Sequence, residues 1–214
     1  MNVKIDLKVV ELLSSRLCHD LISPIGAVSN GLELLEDEDS GMSDDALELS
    51  IKSARRASNI LQAVRVAVGA AGSQASVRLA DGRNLAAGLL EGGKIRLDWP
   101  TDSDQMAVPT GTPKLILNLV MLASECLPRG GVVSVALDQA ADRVAMRVTA
   151  AGQGGRLPPE FLTALAPEAP VADLTAKTVQ GYFAARLAEC FGGRLELPAA
   201  APDTVVFAVS LPSA

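Results

Sequence analysis

The sequence predicts an α+β fold, a long helical hairpin followed by a layer of helices on one β-sheet. Three observations carry this. Residues 7–72 hold apolar side chains at a helical period. From Ser76 onward, short strand-like runs alternate with helical ones. Those runs fall largely into antiparallel pairs joined by short turns, the order of a sheet with helices on one face.

The first helix is marked by Val10, Leu13, Leu17, Leu21, Ile25, Val28, Leu32 and Leu35, at steps of three and four on one stripe. The acidic stretch Glu36–Gly41 interrupts it. Ser43 then reads as an N-cap, with Asp44 and Asp45 in the first turn, where carboxylates complement the helix dipole. Leu47, Ile51, Ala54, Leu61, Val64 and Val68 continue the period into a second helix, which fades into the small-residue linker Gly69–Ser73. Two antiparallel helices of about 30 residues, about 45 Å long, cannot bury all their apolar surface against each other. A second hairpin from another chain would complete a four-helix bundle. Packing against the rest of the chain is the alternative.

Further on, Val77–Leu79 is a short strand candidate, and Asp81 caps a helix through Leu90. Ile95–Trp99 alternates like a strand. Pro113–Leu127 is a strongly apolar helix that stops at Pro128, with Gly130-Gly131 turning the chain. Val132–Leu137 and Arg143–Ala150 read as paired strands. Thr175–Phe191 is a helix ended by Gly192-Gly193, and Arg194–Leu197 with Thr204–Leu211 forms a final hairpin.

Composition excludes several function classes. The 214 residues carry 19 Lys plus Arg against 25 Asp plus Glu, a net charge of −6, so there is no basic nucleic-acid footprint. Aromatics are 3% of the chain, too few for base-stacking platforms. No signal peptide and no apolar run of about 20 residues is present, so no membrane association is expected. The three cysteines, Cys18, Cys126 and Cys190, are widely spaced and read as reduced thiols of a cytoplasmic protein. A single histidine excludes a multi-histidine metal site.

That histidine is the candidate reactive group. His19 lies in Arg16-Leu17-Cys18-His19-Asp20-Leu21-Ile22-Ser23-Pro24. At about 100° per residue it points about 200° away from Leu17, with Ser23 and Asn30 within about 40° and Arg16 within about 60°. It therefore sits on a polar, solvent-facing strip. A neutral imidazole, with an unperturbed pKa of about 6.5, is a nucleophile at neutral pH. Asp20 can accept the Nδ1 proton and leave the Nε2 lone pair free to attack phosphorus. Arg16 offers positive charge to phosphoryl oxygens. Pro24 removes a backbone donor and is expected to bend the helix just past the site.

The run Leu17–Gly26 resembles the H-box of sensor histidine kinases: a histidine, an acidic residue, two variable positions, Thr/Ser/Asn, then proline. Lys114–Ala123 resembles the N-box of the kinase ATP-binding domain, and Val148–Gly154 its first glycine box. Ala188–Leu195 resembles the helix end that follows the second glycine box. The departures matter as much. Ala150 stands where the kinases carry an adenine-binding aspartate, and Leu122 replaces the second N-box asparagine. The second glycine box is reduced to Lys177-Thr178-Val179-Gln180-Gly181, without the glycines that let backbone N–H groups cradle phosphates. Asn118 survives, as a remnant ligand or as a side chain satisfied within helix packing.

An intact H-box on a degenerate ATPase-like domain resembles the ChpT-type histidine phosphotransferases. The resemblance implies a dimerisation and phosphotransfer hairpin over residues 1–73, and a degenerate kinase-ATPase-like (Bergerat-like) α/β sandwich over 74–214. It implies a homodimer, with a phosphoryl group arriving from the receiver domain of a hybrid histidine kinase and leaving to receivers of response regulators. His19, Asp20, Ser23 and Arg16 would form the site. No cofactor would be bound by this chain, and Mg²⁺ would come with the receiver. Two other readings compete: an ATP-dependent sensor kinase with unusual boxes, and a non-catalytic dimeric scaffold of kinase shape.

Overall fold

A computed structural model describes residues 6–36, 43–70, 77–140 and 142–213. Helix α1 (Leu7–Glu36) and helix α2 (Ser43–Ala67) form the hairpin. The helices approach closely where Gly31 meets Ala46 and Ser50; a Cβ on Gly31 would lie 2.1 Å from Ser50 Oγ. Helix α1 runs unbroken through Pro24, which is buried. Because proline has no N–H, the carbonyl of Asp20, one turn earlier, loses its usual intrahelical donor. Asp44 and Asp45 occupy the first turn of α2. The capping side chain of Ser43, the acidic stretch over 37–41, the linker over 71–73 and the boundary at 73/74 lie outside the described residues.

Helix α3 (Leu79–Leu90) corrects two expectations. Val77–Leu79 is not a strand: Leu79 opens the helix and, with Gly82 and Ala86, forms a buried stripe at helical spacing. Asp81 is not the cap but the third helical residue. Its carboxylate reaches back to the Arg78 backbone N–H at 3.0 Å and to the Arg78 guanidinium at 3.3 Å, satisfying a free donor of the first turn.

Strand β1 (Ile95–Asp98) pairs parallel with β2 (Gly131–Gln139). Strand β3 (Arg143–Ala151) runs antiparallel to β2 and to β5 (Thr204–Pro212), and short β4 (Leu195–Glu196) closes the edge beside β5. The sheet order is β1-β2-β3-β5-β4. Its inner face carries Val133, Val135, Met146, Val148, Phe207 and Leu211, all buried. Helices α3, α4 (Thr112–Glu125) and α6 (Val179–Cys190) share the core with this face. Helix α4 is buried all round, as an apolar helix without a polar face must be. Helix α6 starts later than the sequence suggests, because Thr175 and Thr178 exchange backbone-to-hydroxyl hydrogen bonds of 3.0 and 3.2 Å that hold a turn before it. Gly192, at φ +79°, then ends α6. Helix α5 (Pro159–Leu165) has no counterpart in the sequence reading: seven proline-flanked residues are too few to display a period.

The hairpin docks onto the sandwich. Val9, Leu12 and Leu13 pack against Leu174, Val179 and Tyr182, while Val66 and Ala67 join the main core. Part of the hairpin stripe stays open: Val10, Ile25 and Leu32 on α1, and Leu47, Ile51 and Leu61 on α2, are exposed, while Leu17, Leu21, Val28 and Leu35 are half-buried. Leu7 and Ile22, which the sequence stripe does not include, are also exposed. Among the described residues no helix is long and apolar enough to cross a membrane.

Candidate functional site

His19 lies near the middle of α1, with its side chain 87% exposed. Its Nδ1 is 3.1 Å from Asp20 Oδ1. A carboxylate only accepts, so the ring nitrogen facing it carries the proton and Nε2 keeps the lone pair. The other Asp20 oxygen lies 3.7 Å from Arg16 Nε. Burial therefore differs sharply along one short strip: the imidazole stands in solvent, while Arg16 is only 13% exposed.

Arg16 is placed differently from the open phosphate-facing cation that the helical wheel suggests. Its Nη2 donates to Glu125 Oε1 at the end of α4, and its Nη1 donates to the Lys177 carbonyl at 3.0 Å in the turn before α6. One guanidinium thus ties the hairpin to two elements of the sandwich. Lys177 is occupied in turn, its Nζ donating to Glu160 Oε1 at 2.8 Å. Pairing with Lys177 holds the Glu160 carboxyl below its usual range, and the same pair holds the Lys177 ammonium above its own. Behind Glu125, burial first and the Glu125 charge second push the Cys126 thiol up to about 12.

Beside the imidazole, a cleft of about 450 Å³ opens between hairpin and sandwich. Arg16, His19, Asp20 and Ser23 line it from α1, Arg56 from α2, Lys94 from the turn before β1, and Glu125 from α4. The four residues singled out in the sequence are thus brought together. Sequence reasoning missed Arg56, Lys94 and Glu125. Arg56 was within reach, since an antiparallel hairpin that pairs Gly31 with Ala46 and Ser50 sets Arg56 opposite Ser23, one turn past His19. Glu125 and Lys94 carry no local signal, because only the tertiary fold brings them to the cleft.

Three positions of the nucleotide boxes, Asn118, Leu122 and Ala150, sit elsewhere, in the core. Asn118 is fully buried. Its Nδ2 donates to the Ala67 carbonyl at 2.7 Å and the Lys114 carbonyl at 2.8 Å, and its Oδ1 accepts from Gln180 Nε2 at 2.5 Å. Of the two readings of Asn118, the structure shows the satisfied packing residue. Ala150 and Leu122 are also fully buried.

Residues 79–203 match the sequence profile described as the histidine phosphotransferase C-terminal domain. The chain belongs to the histidine phosphotransferase family. A curated relative of this phosphotransferase, protein phosphotransferase ChpT of Brucella abortus (strain 2308), is 36% identical over 209 residues, covering 96% of this chain and 98% of the relative. A solved structure described as a bacterial phosphotransferase superposes with a TM-score of 0.80 at 37% identity, over 97% of this chain and 98% of that one. The catalytic domain of histidine kinase ThkA superposes at a TM-score of 0.50 and 18% identity, over 63% of the phosphotransferase and 91% of that domain. That likeness shows a shared fold: the sandwich has the architecture of a kinase ATP-binding domain.

Proposed function

We propose that this phosphotransferase works as a homodimer that carries phosphoryl groups between receiver domains on Nε2 of His19, without ATP. The observation that carries the reading is the exposed His19, the only histidine of the chain, with Nδ1 turned to Asp20 and a cationic cleft alongside.

In the first half-reaction the Nε2 lone pair attacks the phosphorus of a receiver's aspartyl phosphate. The N–P bond forms, the P–O bond to the aspartate breaks, and the aspartate leaves as a carboxylate. Positive charge on the phosphorylated ring is balanced by Asp20, which holds the Nδ1 proton. Attack by a second receiver's aspartate oxygen reverses these steps and returns the neutral imidazole. The receiver brings the acidic pocket and its Mg²⁺. Arg56 and Lys94 supply positive potential at the cleft, Arg16 ties the site to the sandwich through Glu125 and the Lys177 carbonyl, and Ser23 contacts the receiver or orients a water. The upstream receiver belongs to a hybrid kinase and the downstream receivers to response regulators.

The open apolar stripe of the hairpin supports the homodimer, since a four-helix bundle would bury it. Saturation of Asn118 by Ala67, Lys114 and Gln180 supports ATP independence, because a nucleotide reaching Asn118 would have to displace all three. The three free cysteines are in keeping with a cytoplasmic location. Reconstitution tests the proposal. With a phosphorylated receiver and a second, unphosphorylated one, label moves to the second only when this chain is added. His19→Ala, which removes an exposed side chain and should not disturb folding, stops it. Transfer that survives His19→Ala refutes the assignment.

A further inference from the structure

Arg16 is one cation between two carboxylates. Glu125 takes a hydrogen bond from Nη2 and the Lys177 carbonyl takes one from Nη1, whereas Asp20 Oδ2 stays 3.7 Å from Nε, beyond hydrogen-bonding range. Arg16 Nε is buried and makes no hydrogen bond among the described residues. A buried guanidinium N–H left unmade beside an available carboxylate is costly. It persists here because the fork of the guanidinium is turned toward the sandwich. Asp20 thereby keeps its undivided hydrogen bond to His19 Nδ1.

We infer that Glu125 is a positioning residue for phosphoryl transfer: it draws Arg16 off Asp20, so that Asp20 remains a strong partner for the His19 ring. The inference rests on the reading of His19 as the phosphoryl carrier. The charged groups that face the Arg16–Asp20 pair are Glu125 from α4 and Lys177 from the turn before α6. Arg56 from α2 and Lys94 from the turn before β1 line the same cleft. Lys177 cannot replace Arg16 on Glu125 without abandoning Glu160. With Glu125 neutral, the guanidinium swings onto Asp20, closes the 3.7 Å gap, and makes the carboxylate a poorer acceptor for Nδ1. The ring then becomes less basic and a weaker nucleophile.

The full-length chain gives a direct test, because its single histidine yields one imidazole signal in NMR. Glu125→Gln lowers the His19 titration midpoint and slows phosphoryl acceptance from a phosphorylated receiver about two- to fivefold on the pH plateau, the scale of solvent-screened coupling. Glu125→Asp restores both. Arg16→Gln removes the competing cation and shifts the midpoint the opposite way, upward; it also gives an independent reading should Glu125→Gln fold poorly. In an Asp20→Asn background, Glu125→Gln has no further effect on either readout. Opposite signs from Glu125 and Arg16, and silence without Asp20, are what a merely structural role would not produce. A midpoint unmoved by Glu125→Gln in a chain of wild-type melting temperature overturns the inference. So does an equal effect with and without Asp20, which would mean that Glu125 acts on the ring directly. If His19→Ala still accepts label, the carrier assignment falls instead, while the midpoints still report whether Glu125 governs Asp20.

Discussion

If the hairpin dimerises as proposed, placing one charge on its open face should separate the chains into folded monomers. Ile25 is the most informative position. At about 100° per residue, Leu7, Ile25 and Leu32 lie within about 20° of each other on α1. They are 70%, 51% and 51% exposed. Full burial of an isoleucine side chain is worth about 1.5–3 kcal/mol. With 51% of Ile25 still exposed in one chain, association can recover about half of that, about 0.8–1.5 kcal/mol per copy. A twofold interface doubles it, so Ile25→Ala should weaken the dimer by about one to two powers of ten in Kd. Ile25→Glu adds two desolvated carboxylates at several kcal/mol each, for a loss above about 10⁴-fold. Sedimentation or light scattering across a concentration series reads the mass, and circular dichroism checks that the helices persist. A stable dimer of Ile25→Glu at low micromolar concentration, or a wild-type chain that is monomeric there, would refute the reasoning.

Other outcomes follow from the same geometry. Gly31→Ala puts a Cβ 2.1 Å from Ser50 Oγ and 2.9 Å from the Ala46 carbonyl, so denaturant melts should show the loss of about 1–3 kcal/mol typical of overpacking. Adding Ser50→Ala removes the nearest atom and should restore part of it. Asp20→Ala should slow phosphoryl acceptance by about 10²–10⁴-fold, the usual contribution of a positioned acid–base group, with melting unchanged; a rate within a few-fold of wild type makes Asp20 a solvated surface charge. Calorimetry with ATP and Mg²⁺ should register no binding. Displacing Gln180 and Ala67 from Asn118 breaks buried hydrogen bonds, each costing about 1–3 kcal/mol when left unmade. Micromolar binding would point to an active kinase.

The sequence was most legible where a physical period repeats. The long helices and strands β2, β3 and β5 show theirs, and the His19–Asp20–Ser23 strip followed from helix geometry alone. It was least legible where few residues speak. Val77–Leu79 has a strand-like composition, and only the continuation to Gly82 and Ala86 makes Leu79 helical. Pro159–Leu165 is too short to have a pattern. The site divides in the same way. Arg16 and Asp20, four residues apart on one helix, are neighbours by rule. The Arg16–Glu125 bond spans 109 positions and exists only because α4 ends against α1. The wheel therefore placed Arg16 in solvent, and docking of the sandwich buried it.

In the proposed function His19 carries the phosphoryl group, and a receiver, not ATP, delivers it. The direct measurement supplies the full-length chain with a phosphorylated receiver in one reaction and γ-labelled ATP in another, then locates and characterises the bound phosphate. One acid-labile, base-stable phosphoryl group per chain, on His19 and from the receiver alone, is the expected result. Label on another residue, or label arriving on His19 from ATP, would contradict it.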